Sequence, residues 1–366
     1  MPERQEGHMQ PVLKTPQPTR HSHPMVKASS LAHLIFERPD LELAERFLTD
    51  FGLVVVEETP DTLYLRGAGP AAYCYRVRRA SRPRFVGFGL CVASESDLHE
   101  LAGLAGASKI EACPHLGGGQ FTRLHDPSGF VVEVVWGRSD AEKLEYRPPL
   151  SLNQGVQPTR INVTQRPPVR PPDIYKLGHI VLEVPDYQKT CEWYTYHFGF
   201  IPSDVQVLPD GSPVVTFMRL DRGEEPADHH TLAIAQAFTP AYSHSAYEVV
   251  DADAIGMGQK ILRERGWKHA WGIGRHILGS QLFDYWADPW GDKHEHYCDG
   301  DLFTAEREMG IEFAGPEAMA QWGQRMPASF TRPKLTLETV SGLIRSLRHS
   351  PDVTVKKIIA LARLFA

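Results

Sequence analysis

Two histidines and one glutamate stand at positions of this 366-residue sequence where they could hold one metal ion together. His179 and His244 each open a segment with Glu four residues on and Asp seven residues on, so the two segments share one register. Glu295 ends residues 288–295, DPWGDKHE, in which a turn precedes a strand. Two imidazoles and one carboxylate on one face of an ion leave its other positions open, which suits a non-haem Fe(II) oxygenase. The sequence therefore predicts an iron site that can also bind a substrate and O2.

The segments that carry these residues recur along the chain, and this repetition indicates which elements position them. The register of His, Glu and Asp also occurs at His33, and in two copies an amphipathic helix follows and ends at a glycine, Gly52 or Gly199. A second spacing, DPxGxxxE, ends at Glu133 and again at Glu295. We therefore predict four related βαβββ units, at roughly residues 31–80, 83–137, 176–236 and 242–298.

The alternation of side chains along a strand sorts the residues around the last candidate ligand. Because alternate residues face inward, ligands from strands of different units can converge inside a cupped sheet. Lys293 and Tyr297 should share the face of Glu295, whereas His294 and His296 should point away. We therefore do not expect those two histidines to bind the metal.

The units and the stretches between them divide the chain into five parts. Residues 1–29 are rich in Pro, Gln, His and charge and predict a flexible N-terminal arm. Residues 148–172, rich in Pro and Arg, link an N-terminal domain without a metal site, residues 30–147, to a C-terminal catalytic domain, residues 173–302. Residues 303–366 form a C-terminal tail with helices.

Apolar residues at helical spacing predict two helices in this tail. The first contains Val340, Leu343, Ile344 and Leu347 and breaks at Pro351; the second contains Ile358, Ile359, Leu361 and Phe365. We favour packing of these helices on the core or on another subunit over a lid on the site.

Composition limits the class of protein and its partners. An apolar fraction of 42% and a charged fraction of 23% are ordinary for soluble domains, and a net charge of −6 gives no reason to expect nucleic acid or an anionic membrane. The five cysteines include no CxxC pair, which favours a reduced compartment over a disulfide scaffold. The N-terminus lacks the apolar core of a signal peptide, and no run approaches the roughly 18 apolar residues of a membrane span. These features predict a soluble, cytoplasmic protein.

Further motifs in the second half carry a resemblance to a known family. DHHT at residues 228–231 precedes His244, and GRH at residues 274–276 precedes FDY at residues 283–285. The Tyr of FDY stands ten residues before Glu295. With these motifs, over about residues 30–300, the chain resembles the type I extradiol ring-cleaving dioxygenases of the vicinal oxygen chelate superfamily.

This resemblance implies a fold, a reaction and a role for each matching residue. The fold would be α+β, with two vicinal-oxygen-chelate domains, each of two βαβββ modules forming an open, cupped β-barrel. The family's metal ligands fall on His179, His244 and Glu295, its acid–base histidine on His230, and its substrate-binding residues on His276 and Tyr285. The metal would be Fe(II), which Mn(II) could replace. The substrates would be a catechol and O2, the product a ring-opened semialdehyde-type acid, and the protein a homo-oligomer. Leu278 departs from members that carry Asn near the pocket, which affects the substrate range.

The N-terminal half lacks part of this pattern. It keeps His33 and Glu133, but no histidine lies near residues 85–90, where the second ligand should be. Arg123 takes about the place of Tyr285. We therefore interpret this half as a structural repeat.

Three other functions stay open at this point. One is an iron enzyme of the 4-hydroxyphenylpyruvate dioxygenase type, which also uses two His and one Glu, although the motifs around His230, His276 and Tyr285 favour the extradiol class. Another is a glyoxalase-like lyase or thiol transferase, which usually needs a different ligand set. The last is a non-catalytic protein that binds an aromatic ligand.

Overall fold

The computed structural model describes residue 13, residues 16–331 and residues 337–364. Most of the predicted N-terminal arm before residue 16, and Phe365 of the second predicted tail helix, lie outside this part of the chain. The described residues form a mixed α+β fold with two large curled sheets, one of eight strands and one of ten.

The first sheet contains two modules in which a strand, a helix and three strands follow one another, as the repeats predict. The first module is β1 (Ala28–Arg38), α1 (Leu41–Phe51), β2 (Val54–Thr59), β3 (Thr62–Arg66) and β4 (Tyr75–Arg79). The second module is β5 (Arg84–Val92), α2 (Glu95–Ala102), β6 (Glu111–Ala112), β7 (Gln120–His125) and β8 (Val131–Trp136). The strand order is β2-β3-β4-β1-β5-β8-β7-β6, so the first strands of the two modules are neighbours.

The second sheet repeats this arrangement and adds short strands. Its first module is β9 (Ile174–Val184), α3 (Tyr187–Phe198), β10 (Ile201–Val207), β11 (Pro213–Arg219), the two-residue β12 (Ala227–Asp228) and β13 (Leu232–Gln236). Its second module is β14 (Ala241–Val249), α4 (Ala252–Glu264), β15 (Lys268–Arg275), β16 (Leu282–Ala287) and β17 (Lys293–Cys298). The order is β19-β10-β11-β13-β9-β14-β17-β16-β15-β20, where β19 is Gly310–Phe313 and β20 is Trp322–Gly323. Strand β18 (Leu302–Phe303) pairs with β12 outside this sheet.

The tail beyond the second sheet is helical in part. A short 3₁₀ helix spans Pro316–Ala318, and α5 (Ala328–Thr331), α6 (Leu337–His349) and α7 (Val355–Leu364) follow. Both predicted tail helices are therefore present within the described residues. No helix in the described part of the chain is long and apolar enough to cross a membrane.

The shared register of His, Glu and Asp has a local cause. Asp40 and Asp251 are the N-cap residues of α1 and α4, and each side chain accepts a hydrogen bond from a backbone N–H of the first helical turn. Gly52 and Gly199 end α1 and α3 with positive φ angles of 111° and 66°, which glycine adopts without strain. The seven-residue spacing from His to Asp is therefore the length of chain between a strand residue and the N-cap of the next helix.

The two sheets pack on each other through one continuous apolar core, which holds Phe36 and Phe51 of the first sheet and Trp286 of the second. His296 stacks on Phe51 at 3.8 Å between ring centroids and donates a hydrogen bond of 2.7 Å to its backbone oxygen. The His294 ring packs among the aromatic rings of this core. Both histidines therefore point away from the face of Glu295, as the strand alternation predicted.

Candidate metal centre

His179, His244 and Glu295 lie on three adjacent strands, β9, β14 and β17. Ala246 of β14 pairs with His179 on one side and with Glu295 on the other, and His244 stands two residues before it on the same face. The register of the sheet therefore directs all three side chains into the hollow of the curled sheet.

The three side chains meet closely enough to share one ion. One ligand atom from each lies within 4.8 Å of the others. Oε2 of Glu295 is 3.3 Å from Nε2 of His179 and 3.5 Å from Nε2 of His244. His179 and Glu295 are buried, and His244 is partly so.

The state of the carboxylate shows that a cation fits here. Both oxygens of Glu295 are buried, and neither has a hydrogen-bond partner among the described residues. Burial alone would raise the pKa of Glu295, but His179 and His276 beside it hold the pKa below its usual range. Burial keeps the pKa of His244 well below its ordinary value, so its nitrogen is free of a proton near neutral pH. A carboxylate with two imidazole nitrogens is the donor set that Fe(II) or Mn(II) binds.

His230 lies beside this centre, and a chain of hydrogen bonds fixes its tautomer. Its ring centroid is 3.9 Å from that of His179. Nδ1 of His230 is 2.9 Å from Nδ1 of His229, whose Nε2 is 2.5 Å from Oδ2 of Asp204. The Asp204 carboxylate only accepts, so His229 donates through Nε2, and in this neutral tautomer of His229 the Nδ1 atom accepts the N–H of His230 Nδ1.

With this tautomer, Nε2 of His230, a residue that lines the cavity, carries no proton. Burial and the neighbouring histidines keep the pKa of His230 well below its ordinary value, so the ring is neutral near pH 7. A neutral imidazole nitrogen facing the cavity can accept a proton from a bound substrate. The sequence does not reveal Asp204 or the role of His229 as the hydrogen-bonding link to His230, because nothing in the local spacing joins residue 204 to the DHHT motif.

His276 and Tyr285 form a second hydrogen-bonded pair at the same centre. Tyr285 lies opposite Glu295 in the β16–β17 pair. Nδ1 of His276 donates to the backbone oxygen of Met319 at 2.7 Å, so its Nε2 accepts the Tyr285 hydroxyl at 2.9 Å. Burial and the nearby Glu295 raise the pKa of Tyr285 well above its ordinary value, so Tyr285 remains a donor.

A cavity of about 520 Å³ is lined by five of the six predicted site residues, all except Glu295. The walls are largely apolar and include Val181, Val215, Phe217, Phe238 and Leu278. Leu343 of α6 and Leu361 of α7 also line it, so the tail helices cover the site. The sequence favours packing of these helices on the core or on another subunit over a lid, and the structure places Leu343 and Leu361 at the wall of the cavity.

The equivalent place in the first sheet holds arginines where a metal would lie. Nε2 of His33 is 2.9 Å from Glu133, and Oε1 of the same carboxylate accepts hydrogen bonds from Arg76 at 2.9 Å and Arg123 at 3.1 Å. Gly87 takes the position of His244 in the first sheet. Gly87 pairs with the residue two before Glu133, as His244 pairs with the residue two before Glu295. Two guanidinium groups thus neutralise a carboxylate that lacks its second histidine.

The matches to known proteins agree with this geometry. Residues 176–295 match the family described as the Glyoxalase/Bleomycin resistance protein/Dioxygenase superfamily. These residues form a domain of that superfamily. The superfamily domain therefore spans β9 to the Glu295 position of β17, including all six of the predicted site residues.

Relatives are named metapyrocatechase or extradiol dioxygenase, names of enzymes in the oxidoreductase class, so the predicted resemblance is confirmed. The chain is 29% identical to metapyrocatechase 2 of Cupriavidus necator over 314 residues, 85% of this chain and 94% of that protein. It is 29% identical to the iron-dependent extradiol dioxygenase of Rhodococcus jostii over 156 residues, 40% of this chain and 50% of that protein.

Solved structures share the fold. The Mn(II)-bound glyoxalase from Novosphingobium aromaticivorans superposes with a TM-score of 0.71 at 23% identity, over 85% of this chain and 97% of the other. An extradiol ring-cleaving dioxygenase from B. fuscum gives a TM-score of 0.71 at 16% identity, over 88% and 87%. The superfamily domain and its N-terminal repeat are therefore arranged as in these proteins.

Proposed function

We propose that this protein is an Fe(II)-dependent extradiol dioxygenase, which cleaves the ring of a catechol next to its diol and places both oxygen atoms of O2 in the product. One observation carries the proposal: the buried Glu295 carboxylate, which has no hydrogen-bond partner among the described residues, lies between His179 and His244 beside a cavity that also holds a proton acceptor. The names of the relatives support the same reaction.

His179, His244 and Glu295 would hold the metal. When bound, Fe(II) would supply open positions for the two catechol oxygens and for O2, and a path for electrons between them. Nε2 of His230 accepts a proton from a catechol hydroxyl and returns it later in the reaction.

The other side chains orient the substrate and exclude water. Tyr285 and His276 line the cavity, where the Tyr285 hydroxyl can exchange its hydrogen bond to His276 for one to a substrate oxygen and stabilise charge that develops there. The apolar walls beside the metal centre, Val181 and Phe217 among them, keep bulk water away from the reacting atoms.

The test is anaerobic purification, loading with Fe(II), and addition of air with catechol while O2 uptake and the yellow ring-opened product are followed. We expect equal amounts of O2 consumed and product formed. The Glu295→Gln variant should lose metal and activity together, whereas Glu264→Gln, on the exposed face of α4, should retain both. Parallel loading with Mn(II) determines which metal supports turnover.

Other outcomes would point to the competing functions. Release of CO2 from a 2-oxo acid with O2 uptake would favour the 4-hydroxyphenylpyruvate dioxygenase type. Turnover without O2 uptake would favour a lyase, and tight binding of a catechol without turnover would favour a binding protein. Failure to bind any divalent metal would contradict the proposal.

A further inference from the structure

The cavity continues well beyond the metal centre along β9. The inward-facing residues of this strand are His179, Val181 and Glu183, and strand geometry places Glu183 about 13 Å from His179. Across the sheet, Glu183 pairs with Ala235 of β13, and Ala235 pairs with Val215 of β11. This outer compartment lies beside the space for a catechol ring and is large enough for a substituent.

The walls of the outer compartment are apolar and come partly from the tail. Phe238 and Val215 line one side, and Leu343 and Leu361 of the tail helices line the other. Helix α6 fits closely here, because a Cβ atom added at Gly342 would lie 2.5 Å from Thr239. An apolar substituent would gain by transfer from water to such walls.

The charges around this compartment disfavour an anionic substituent. Among the described residues that line the cavity there is no lysine or arginine, and Glu183 is the acidic one. Of the ammonium groups outside that lining, Lys293 acts electrostatically on Glu183 and donates to the backbone oxygen of Phe330, and Lys357 donates to Oε1 of Gln236. The Gln236 amide in turn donates to the backbone oxygen of Pro185 at 2.9 Å, so it too is occupied.

We propose that the substrate is a catechol with a neutral, apolar substituent, alkyl or aryl, that occupies this compartment, and that Glu183 acts against carboxylated catechols. The proposal rests on the proposed function, because it places the diol at the metal centre. It selects one chemical class among the catechols that the reaction alone would accept.

Two substituted catechols of nearly equal shape test whether the compartment prefers a neutral substituent to a carboxylate. In 4-isobutylcatechol two methyl groups replace the two carboxylate oxygens of 3,4-dihydroxyphenylacetate, so the pair differs mainly in charge. We expect the wild-type protein to show a kcat/KM at least about tenfold higher for the isobutyl compound, since a few apolar groups in a fitted pocket give discrimination of this order. Anaerobic titration of the Fe(II) protein should give the same preference in Kd.

Variants at the compartment should change this ratio without changing the cleavage of unsubstituted catechol. Glu183→Arg supplies the missing cation and should move the ratio at least tenfold toward the carboxylated compound, whereas Glu183→Gln should move it less. Leu343→Ala with Leu361→Ala should lower kcat/KM for the isobutyl compound and leave that for catechol within about threefold.

The outcomes separate this proposal from the proposed function. Preference of the wild type for the carboxylated compound, or a ratio that Glu183→Arg leaves unchanged in a folded protein, would overturn the substrate class while catechol cleavage still stood. Absence of ring cleavage would overturn the proposed function, and the anaerobic Kd values would then still decide between the neutral and carboxylated ligands.

Discussion

The hydrogen bond between Asp204 and His229 should control the rate of turnover through the tautomer of His230. In Asp204→Asn the amide keeps the shape of the carboxylate, but its NH2 group can donate to Nε2 of His229. The chain of donors would then reverse, His229 would donate through Nδ1, and the proton of His230 would lie on Nε2, where it blocks proton acceptance.

The size of the effect follows from the strength of this bond. A hydrogen bond to a charged group is worth about 1.5–3 kcal/mol, and the 2.5 Å distance from Nε2 of His229 to Oδ2 of Asp204 is short. Loss of that amount from the transition state would lower kcat about 10- to 150-fold. The loss should stay below the roughly 10²- to 10⁴-fold that general acid–base catalysis contributes as a whole.

The assay is kcat with saturating catechol and O2, expressed per bound iron, together with its pH profile. Asp221→Asn is the matched control, because Asp221 is also a buried carboxylate but pairs with Arg20 and Lys27 outside the cavity. The pH profile should change in Asp204→Asn and not in the control. A kcat within twofold of wild type at full iron content would refute the reasoning, and a loss of iron in proportion to activity would show that Asp204 only maintains the fold.

Three further predictions concern the metal, the acid–base residue and the pH dependence of stability. Metal at about 100 times its Kd should raise the free energy of unfolding by about 2.7 kcal/mol in thermal melts, and Glu295→Gln should abolish this gain. His230→Phe should lower kcat by about 10²- to 10⁴-fold with iron still bound, measured by metal analysis beside O2 uptake, and loss of the iron would contradict its assigned place. Burial lowers the pKa of His33 and of His296 to about 4, so between pH 6.5 and pH 4 the unfolded chain binds more protons than the folded one. Stability should therefore fall as pH decreases through that window, by up to about 3 kcal/mol for each histidine, and urea unfolding that is flat over this range would contradict their neutral burial.

The repeated units and the three side chains that converge at the candidate metal centre can be recognised from the sequence. A strand residue, a helix N-cap and a terminal glycine follow one another at short, fixed distances, so the register of His179, His244 and Asp251 can be recognised without coordinates. The alternation of side chains then separated Glu295 from His294 and His296. These features depend on neighbours within a few residues, which is the range over which sequence spacing carries information.

The residues that surround that centre follow from the tertiary fold and cannot be read from local spacing. Asp204 lies 25 residues before His229, on β10 of the ten-stranded sheet, whereas His229 follows β12, which pairs with β18 outside that sheet, so no local pattern joins the two residues. The position of Leu343 and Leu361 over the cavity likewise follows from how the tail helices pack, since their apolar spacing fits a core, an interface or a cover equally well. The arginines that neutralise Glu133 come from different strands for the same reason. Contacts between residues far apart in the chain depend on register and packing, and a single sequence specifies them only through the completed fold.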